Sequence, residues 1–195
     1  VANGLAAMRG LKDKAPGVWR ITVERPHGPC SGAGETTIAY REWKAAAPIK
    51  LAIVRGLYVP YDSLAELKTT SYLRSVELMR RAQILGFDDG LGVSQDGRVG
   101  ETSCRNLFAK IGEIWITPPV EGLLPGTVRG QILARAAEFG IEVHEDALTV
   151  ELLQSASQVV VTSAVVVVLA VTEVDGTTYE SDGSELRPCL EASVA

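Results

Sequence analysis

Two hydrophobic rhythms divide the chain, and the change comes near residue 60. Before it, 18–24 alternates apolar and polar residues at the two-residue period of strands, and 36–43 and 50–55 read as a second and a third strand. A short helix is expected over 4–13, with Leu5, Met8 and Leu11 on one face, ended by Ala15-Pro16-Gly17. Residues 26–34 read as a Gly/Pro-rich turn, and 56–66 as an irregular linker with Pro60 and Asp62. After the linker, Tyr72, Val76, Met79, Ala82 and Leu85 fall at helical spacing, with Gly86 placed as a C-cap glycine. Asp96-Gly97 predicts a hairpin between 90–93 and 98–101, and Gly112 a second one between 107–110 and 114–117.

Residues 127–139 predict an amphipathic helix that turns Val128, Ile132, Leu133 and Ala136 inward and closes at Gly140. A strand over 141–144 and a short helix over 150–156 follow. The most apolar strands are expected over 158–161 and 165–173, with a turn at Asp175-Gly176. A loop with a short helix near 186–190 completes the pattern, and no internal repeat is visible. Short strands and helices mixed in this order predict an α+β chain with a barrel-like or strongly curved sheet.

Composition narrows the function classes. The chain has 195 residues, 46% of them apolar, enough for a large core. A net charge of -5 argues against nucleic acid, whose phosphates demand a basic face. Cys30, Cys104 and Cys189 are an odd, scattered set without a CxxC, so reduced thiols are expected rather than a disulfide framework or a zinc site. With only His27 and His144, no metal site is expected. The Val-rich run 159–171 is shorter than the roughly 20 residues of a membrane span. Thr162 and Ser163 also interrupt it, so buried strands are the better reading and no membrane is expected. The start, Val1-Ala2-Asn3-Gly4-Leu5, has no signal-peptide pattern and no Met, so a cytoplasmic, processed or cut chain is expected.

Three segments carry candidate chemistry. Lys68 lies in Leu67-Lys68-Thr69-Thr70-Ser71-Tyr72-Leu73, where apolar neighbours would hold an amine in place. Glu101 ends a strand in Gly97-Arg98-Val99-Gly100-Glu101-Thr102-Ser103-Cys104-Arg105-Asn106-Leu107-Phe108. Leu124-Pro125-Gly126-Thr127-Val128-Arg129 opens the amphipathic helix, where free N–H groups can bind an anion. An amine, an acid and a helix N-terminus are what pyridoxal phosphate (PLP) needs for its aldehyde, ring nitrogen and phosphate. Each segment alone has a plainer reading: a surface lysine, a solvated strand-end acid, ordinary N-capping by Thr127. The small polar break Thr162-Ser163-Ala164 between two apolar strands is either a set of anion donors or a simple turn.

Taken together with Thr117-Pro118 and Val159-Val160-Val161-Thr162-Ser163-Ala164, these motifs resemble the fold-type IV PLP enzymes, the class IV aminotransferase family. That family includes D-amino acid and branched-chain aminotransferases and aminodeoxychorismate lyase. The resemblance runs in order from Leu64 to Gly176. It implies the D-amino acid aminotransferase-like fold, with a partial small N-terminal α/β lobe over 1–60 and a larger C-terminal barrel-like, PLP-binding lobe over 61–195. Lys68 would then hold PLP as a Schiff base and shuttle a proton. Glu101 would face the pyridine nitrogen and Tyr72 the ring hydroxyl, and Leu124 would lie against the ring. Gly126, Thr127 and Val128, with Ser163 and Ala164, would hold the phosphate. The implied reaction moves an amino group between an amino acid and a 2-oxo acid, the alternative being formation of 4-aminobenzoate and pyruvate by the lyase. A non-catalytic fragment is the third reading, and a homodimer is implied by the family.

Two departures stand out. Val128 occupies a place where the family usually has Thr, and Cys104 and Arg105 stand where small polar residues are frequent; Arg105 could bind a substrate carboxylate. Residues 1–60 resemble only the second part of the family's N-terminal lobe, so an N-terminally truncated chain is expected.

Overall fold

A computed structural model describes residues 17–24, 35–42 and 44–190. The expected helix over 4–13 and the turn over 26–34 lie outside the described residues. Two compact units emerge, Val1–Ala45 and Ala46–Ala195. In the first, β1 (Gly17–Glu24) and β2 (Glu35–Glu42) form one antiparallel ladder. Trp19 and Tyr40 are paired across it with ring centroids 4.6 Å apart, a cross-strand aromatic contact of the kind that pins register.

The larger unit begins ten residues or more before the expected lobe boundary at 60. The reason is β3 (Ile49–Arg55), which pairs in parallel with β4 (Asp89–Val93) on one side and β10 (Val167–Val174) on the other. The remaining strands are β5 (Val99–Thr102), β6 (Asn106–Ile111), β7 (Ile114–Thr117), β8 (Val143–Glu145) and β9 (Gln158–Ser163). Their order is β5-β4-β3-β10-β9-β6-β7-β8, with a two-residue β11 (Thr177–Thr178) on β10. Both predicted hairpins form, with Gly97 and Gly112 at positive φ in their turns.

The Val-rich strands are apolar throughout because both faces of the sheet are covered. On one face Leu91, Val93, Val99, Leu107, Val159, Val161, Leu169 and Val171 share a single core. Val99 comes from the edge strand β5 and Leu107 from β6, five places away in the strand order, so the sheet curls toward a barrel. On the other face Phe108, Trp115, Val160 and Val168 meet Val128, Ile132 and Ala136 of α2 (Thr127–Arg135) and its short 3-10 continuation, with Leu186 and Cys189 of the tail. The tail is fastened by Glu185, whose carboxylate accepts from Lys110 Nζ at 2.8 Å and Trp115 Nε1 at 3.1 Å. The fold is the expected α+β one. Among the described residues no helix is long and apolar enough to cross a membrane.

Helix α1 (Leu73–Ile84) follows the predicted span, and Gly86 closes it at positive φ. Its buried face differs from expectation: Leu78 and Ala82 are covered, whereas Val76 is 58% and Leu85 63% exposed. Gly90 in β4 explains the rotation. A Cβ there would come 2.6 Å from the Leu78 carbonyl oxygen, so this glycine lets the helix settle on the sheet through Leu78. The third helix, α3 (Val150–Gln154), is capped by Thr149, whose hydroxyl accepts from the Leu152 N–H at 3.3 Å.

Candidate active site

A cavity of about 790 Å³ opens where the ends of β4, β5 and β9 meet the linker before α1 and the start of α2. Lys68, Tyr72 and Glu101 line it, as do Leu124, Gly126, Thr127 and Val128, and Ser163 and Ala164. All nine residues singled out from the sequence therefore share one space, although 96 positions separate Lys68 from Ala164 along the chain.

Each arrives by its own local logic. Lys68 lies in the irregular segment before α1 and is exposed. That segment is braced rather than loose: Arg74 pairs with Asp62 at 2.6 Å, and the Gly122 N–H donates to Glu66 at 3.3 Å. Tyr72 is the N-cap residue of α1, and its carbonyl accepts from the Val76 N–H at 2.8 Å. Glu101 sits at the inner end of β5, largely buried. Its Oε1 accepts from the Leu124 N–H at 3.2 Å and its Oε2 from Asn106 Nδ2 at 3.0 Å. Burial pushes its carboxyl up to about 7, opposed by the Leu124 N–H and by the charges of Lys68 and Arg129. Lys68 thus acts electrostatically on the acid across the cavity.

At the start of α2 the N-cap is Gly126, in extended conformation and without a side-chain cap. Thr127 is the first helical residue rather than the cap, so the first-turn N–H groups are not taken by a capping side chain. The adjacent loop is held from outside. Arg129, 5% exposed, donates to the Pro118 carbonyl at 2.8 Å and pairs with Glu145 at 2.8 Å. At the β9–β10 turn, Ser163 Oγ accepts from the N–H groups of Val165 and Val166, both at 3.3 Å, so its oxygen serves the turn.

Several lining residues carried no individual role from the sequence, although Thr162 belonged to a segment read as possible anion donors. Thr102 Oγ1, Ser103 Oγ and Thr162 Oγ1 are buried without a hydrogen-bond partner. A polar pair flanked by apolar strands was the available signal for Thr162; the other two sit inside the Glu101 motif. Tyr58 covers Gly92 and Gly100, where a Cβ would come 3.1 Å and 2.8 Å from its side chain, and burial raises its phenol. Both glycines are therefore places where the sheet accepts an aromatic ring. Arg105 reaches the cavity, but its guanidinium is paired at 2.9 Å with Asp89, itself 2% exposed. That pairing neutralises the charge expected to meet a substrate carboxylate.

A profile of the amino-transferase class IV family matches residues 3–174. The branched-chain-amino-acid aminotransferase of Escherichia coli K12 is 33% identical over 107 residues, 54% of this chain and 35% of that one. The aminodeoxychorismate lyase of Bacillus subtilis is 27% identical over 129 residues, 64% of this chain and 43% of that one. The chain thus spans less than half the length of these relatives. A hypothetical aminotransferase from Mycobacterium tuberculosis, in its PLP-bound form, superposes with a TM-score of 0.82 at 20% identity, over 95% of this chain and 72% of that one, a likeness of fold. The chain belongs to the class IV amino-transferase family.

Proposed function

We propose that this chain forms the PLP-binding part of an aminotransferase that moves an amino group between an amino acid and a 2-oxo acid. One observation carries the reading: an amine, a buried acid and an uncapped helix N-terminus line the same cavity. The cavity also fits a polar occupant. Three of its hydroxyls are buried without partners, each costing about 1–3 kcal/mol if left so. Gly126 keeps the helix start free of a side chain.

In such a site PLP supplies the electron sink that lets a bond at the amino acid's Cα break. Lys68 Nζ would hold the aldehyde covalently and, once displaced by the incoming amine, would move the proton between the substrate Cα and the former aldehyde carbon. Glu101 would keep a proton at the pyridine nitrogen. Tyr72 would reach the ring hydroxyl and Leu124 would pack on the ring. The N–H groups of Thr127 and Val128, with Gly126, Ser163 and Ala164, would hold the phosphate. Thr162 Oγ1, buried in the cavity lining without a partner, would be a further donor.

Borohydride reduction of the chain with PLP, followed by peptide mapping, tests this directly. Label on Lys68 is expected; label spread over exposed lysines would remove the proposal's basis. The relatives include a lyase as well as aminotransferases, so the second reading is 4-aminobenzoate and pyruvate formation. Parallel assays of the intact enzyme for 4-aminobenzoate release and for oxo-acid-dependent amino transfer separate the two. A cytoplasmic homodimer belongs to the same proposal. Supporting it, the cavity-bearing segment exposes Val59, Tyr61, Leu64, Leu67, Leu73 and Val76, an apolar surface suited to cover by another subunit. Sedimentation of the intact enzyme checks it, and a monomer at micromolar concentration would refute it.

A further inference from the structure

We propose that Asn106 is a positioning residue that locks the acid end of the cavity to its helix end through a single amide group. Asn106 is the first residue of β6 and is 5% exposed. Its Nδ2 carries two hydrogens, and both are used: one on Glu101 Oε2 at 3.0 Å, the other on the Leu124 carbonyl at 2.9 Å. The Leu124 N–H returns to Glu101 Oε1 at 3.2 Å, closing a ring of three hydrogen bonds. The other side of the amide faces the helix start, where a Cβ added to Gly126 would overlap Asn106 Oδ1. In register, Asn106 is paired with Thr162, next to Ser163 and Ala164. Two walls of the cavity, the β5 end and the 124–126 loop, therefore meet at this side chain, and its backbone is paired with the third, the β9 end.

An amide that contacts both ends fixes the distance between them. It should also favour the ionised form of the acid, because it donates an N–H to one of the carboxylate oxygens. The other charged or titratable groups acting there are Lys68, Arg129 and Tyr58; Arg129 also comes near Gly126, its Cβ 3.7 Å from where an added Cβ would stand, but the first group met there is the Asn106 amide. A change at the helix start should consequently reach Glu101 through Asn106. An asparagine that merely filled space would not transmit it.

The inference rests on Glu101 being the acid that serves the proposed cofactor. Its test is read in the cofactor-free chain, so the two can fail separately. Glutamate carboxyls are labelled with 13C, the Glu101 signal is assigned by its loss in Glu101→Gln, and its midpoint is followed with pH. Asn106→Ser is expected to raise the midpoint by about one pH unit, through loss of the donor. Gly126→Ala is expected to raise it by a smaller amount, and to add nothing when Asn106→Ser is already present. A midpoint within roughly 0.2 unit of wild type in Asn106→Ser overturns the proposal. An equal Gly126→Ala effect with and without Asn106 does so too. If Asn106→Ser fails to fold, the side-chain NH2 resonances of Asn106 in the wild-type chain decide: they should titrate together with Glu101, and pH-independent resonances refute the lock.

Discussion

The two ends of the cavity are built by opposite means. Glu101 stands near the end of the edge strand β5, largely buried, with both carboxylate oxygens accepting hydrogen bonds. Lys68 stands in an irregular, exposed segment held by side chains to its neighbours rather than by a ladder. The contrast follows the chemistry proposed for each. An acid that holds one proton at a fixed ring atom gains from rigidity and low dielectric. An amine that must let go of the cofactor and reach a second atom gains from a long, flexible side chain on a braced segment.

Removing the amine should have the largest effect. Lys68→Ala is expected to lower amino transfer by the intact enzyme by about 10³-fold or more and to abolish the borohydride label. Retention of a tenth of the rate would show that the amine is elsewhere. Removing the fixed end comes next. Glu101→Gln is expected to cost about 10²-fold in kcat, a loss typical of a preorganised electrostatic contact.

The same variant should gain stability relative to wild type as the pH rises, and the sign follows from proton binding. The carboxyl is raised from 4.5 to about 7 on folding, so the folded state holds the proton more tightly than the unfolded chain. The contribution of Glu101 is therefore intact below pH 4.5, is lost as the pH rises toward about 7, and stays lost above it. In the cofactor-free chain the stability of Glu101→Gln relative to wild type should rise between pH 4 and pH 8 by about 3 kcal/mol, whatever the amide itself costs at the oxygens that accept from Leu124 and Asn106. Urea titrations at both pH values measure it; a constant gap would show that burial does not act on the acid's charge.

Smaller effects sharpen the contrast in scaffolding. Gly90→Ala presses a methyl group on the Leu78 carbonyl, and about 1–3 kcal/mol of stability should be lost. Arg74→Ala removes the half-exposed pair with Asp62 and should cost no more than about 1 kcal/mol. Its clearer sign should be a few-fold rise in KM, because the lysine segment loses a brace. Unchanged KM would mean that Glu66 and the Gly122 N–H suffice.

Much of this was legible in the residues themselves. The strand and helix spans followed from period and punctuation, and Lys68, Glu101 and Gly126 were marked by the motifs around them. What escaped was set by neighbours remote in sequence. The periodicity of α1 gave Val76 and Leu85 the same standing as Ala82; Gly90 decided that Leu78 would be the residue to enter the sheet. Arg105 looked available for a carboxylate until Asp89, 16 positions away, was found against it. The strand β3 read as part of the first lobe because its local pattern says nothing about partners; β4 and β10 claimed it.

The sequence by itself determined which chemical groups are present, which stretches form strands or helices, and the family to which their order belongs. Those are properties of residue type and spacing, fixed by short-range sterics and hydrophobic period. The tertiary structure alone decided that the groups face one cavity, that Glu101 holds its proton near neutrality, and that Asn106 stands between the two ends. Burial and long-range pairing produce these features, and both depend on which surfaces exclude water together, a relation that no local stretch of chain encodes.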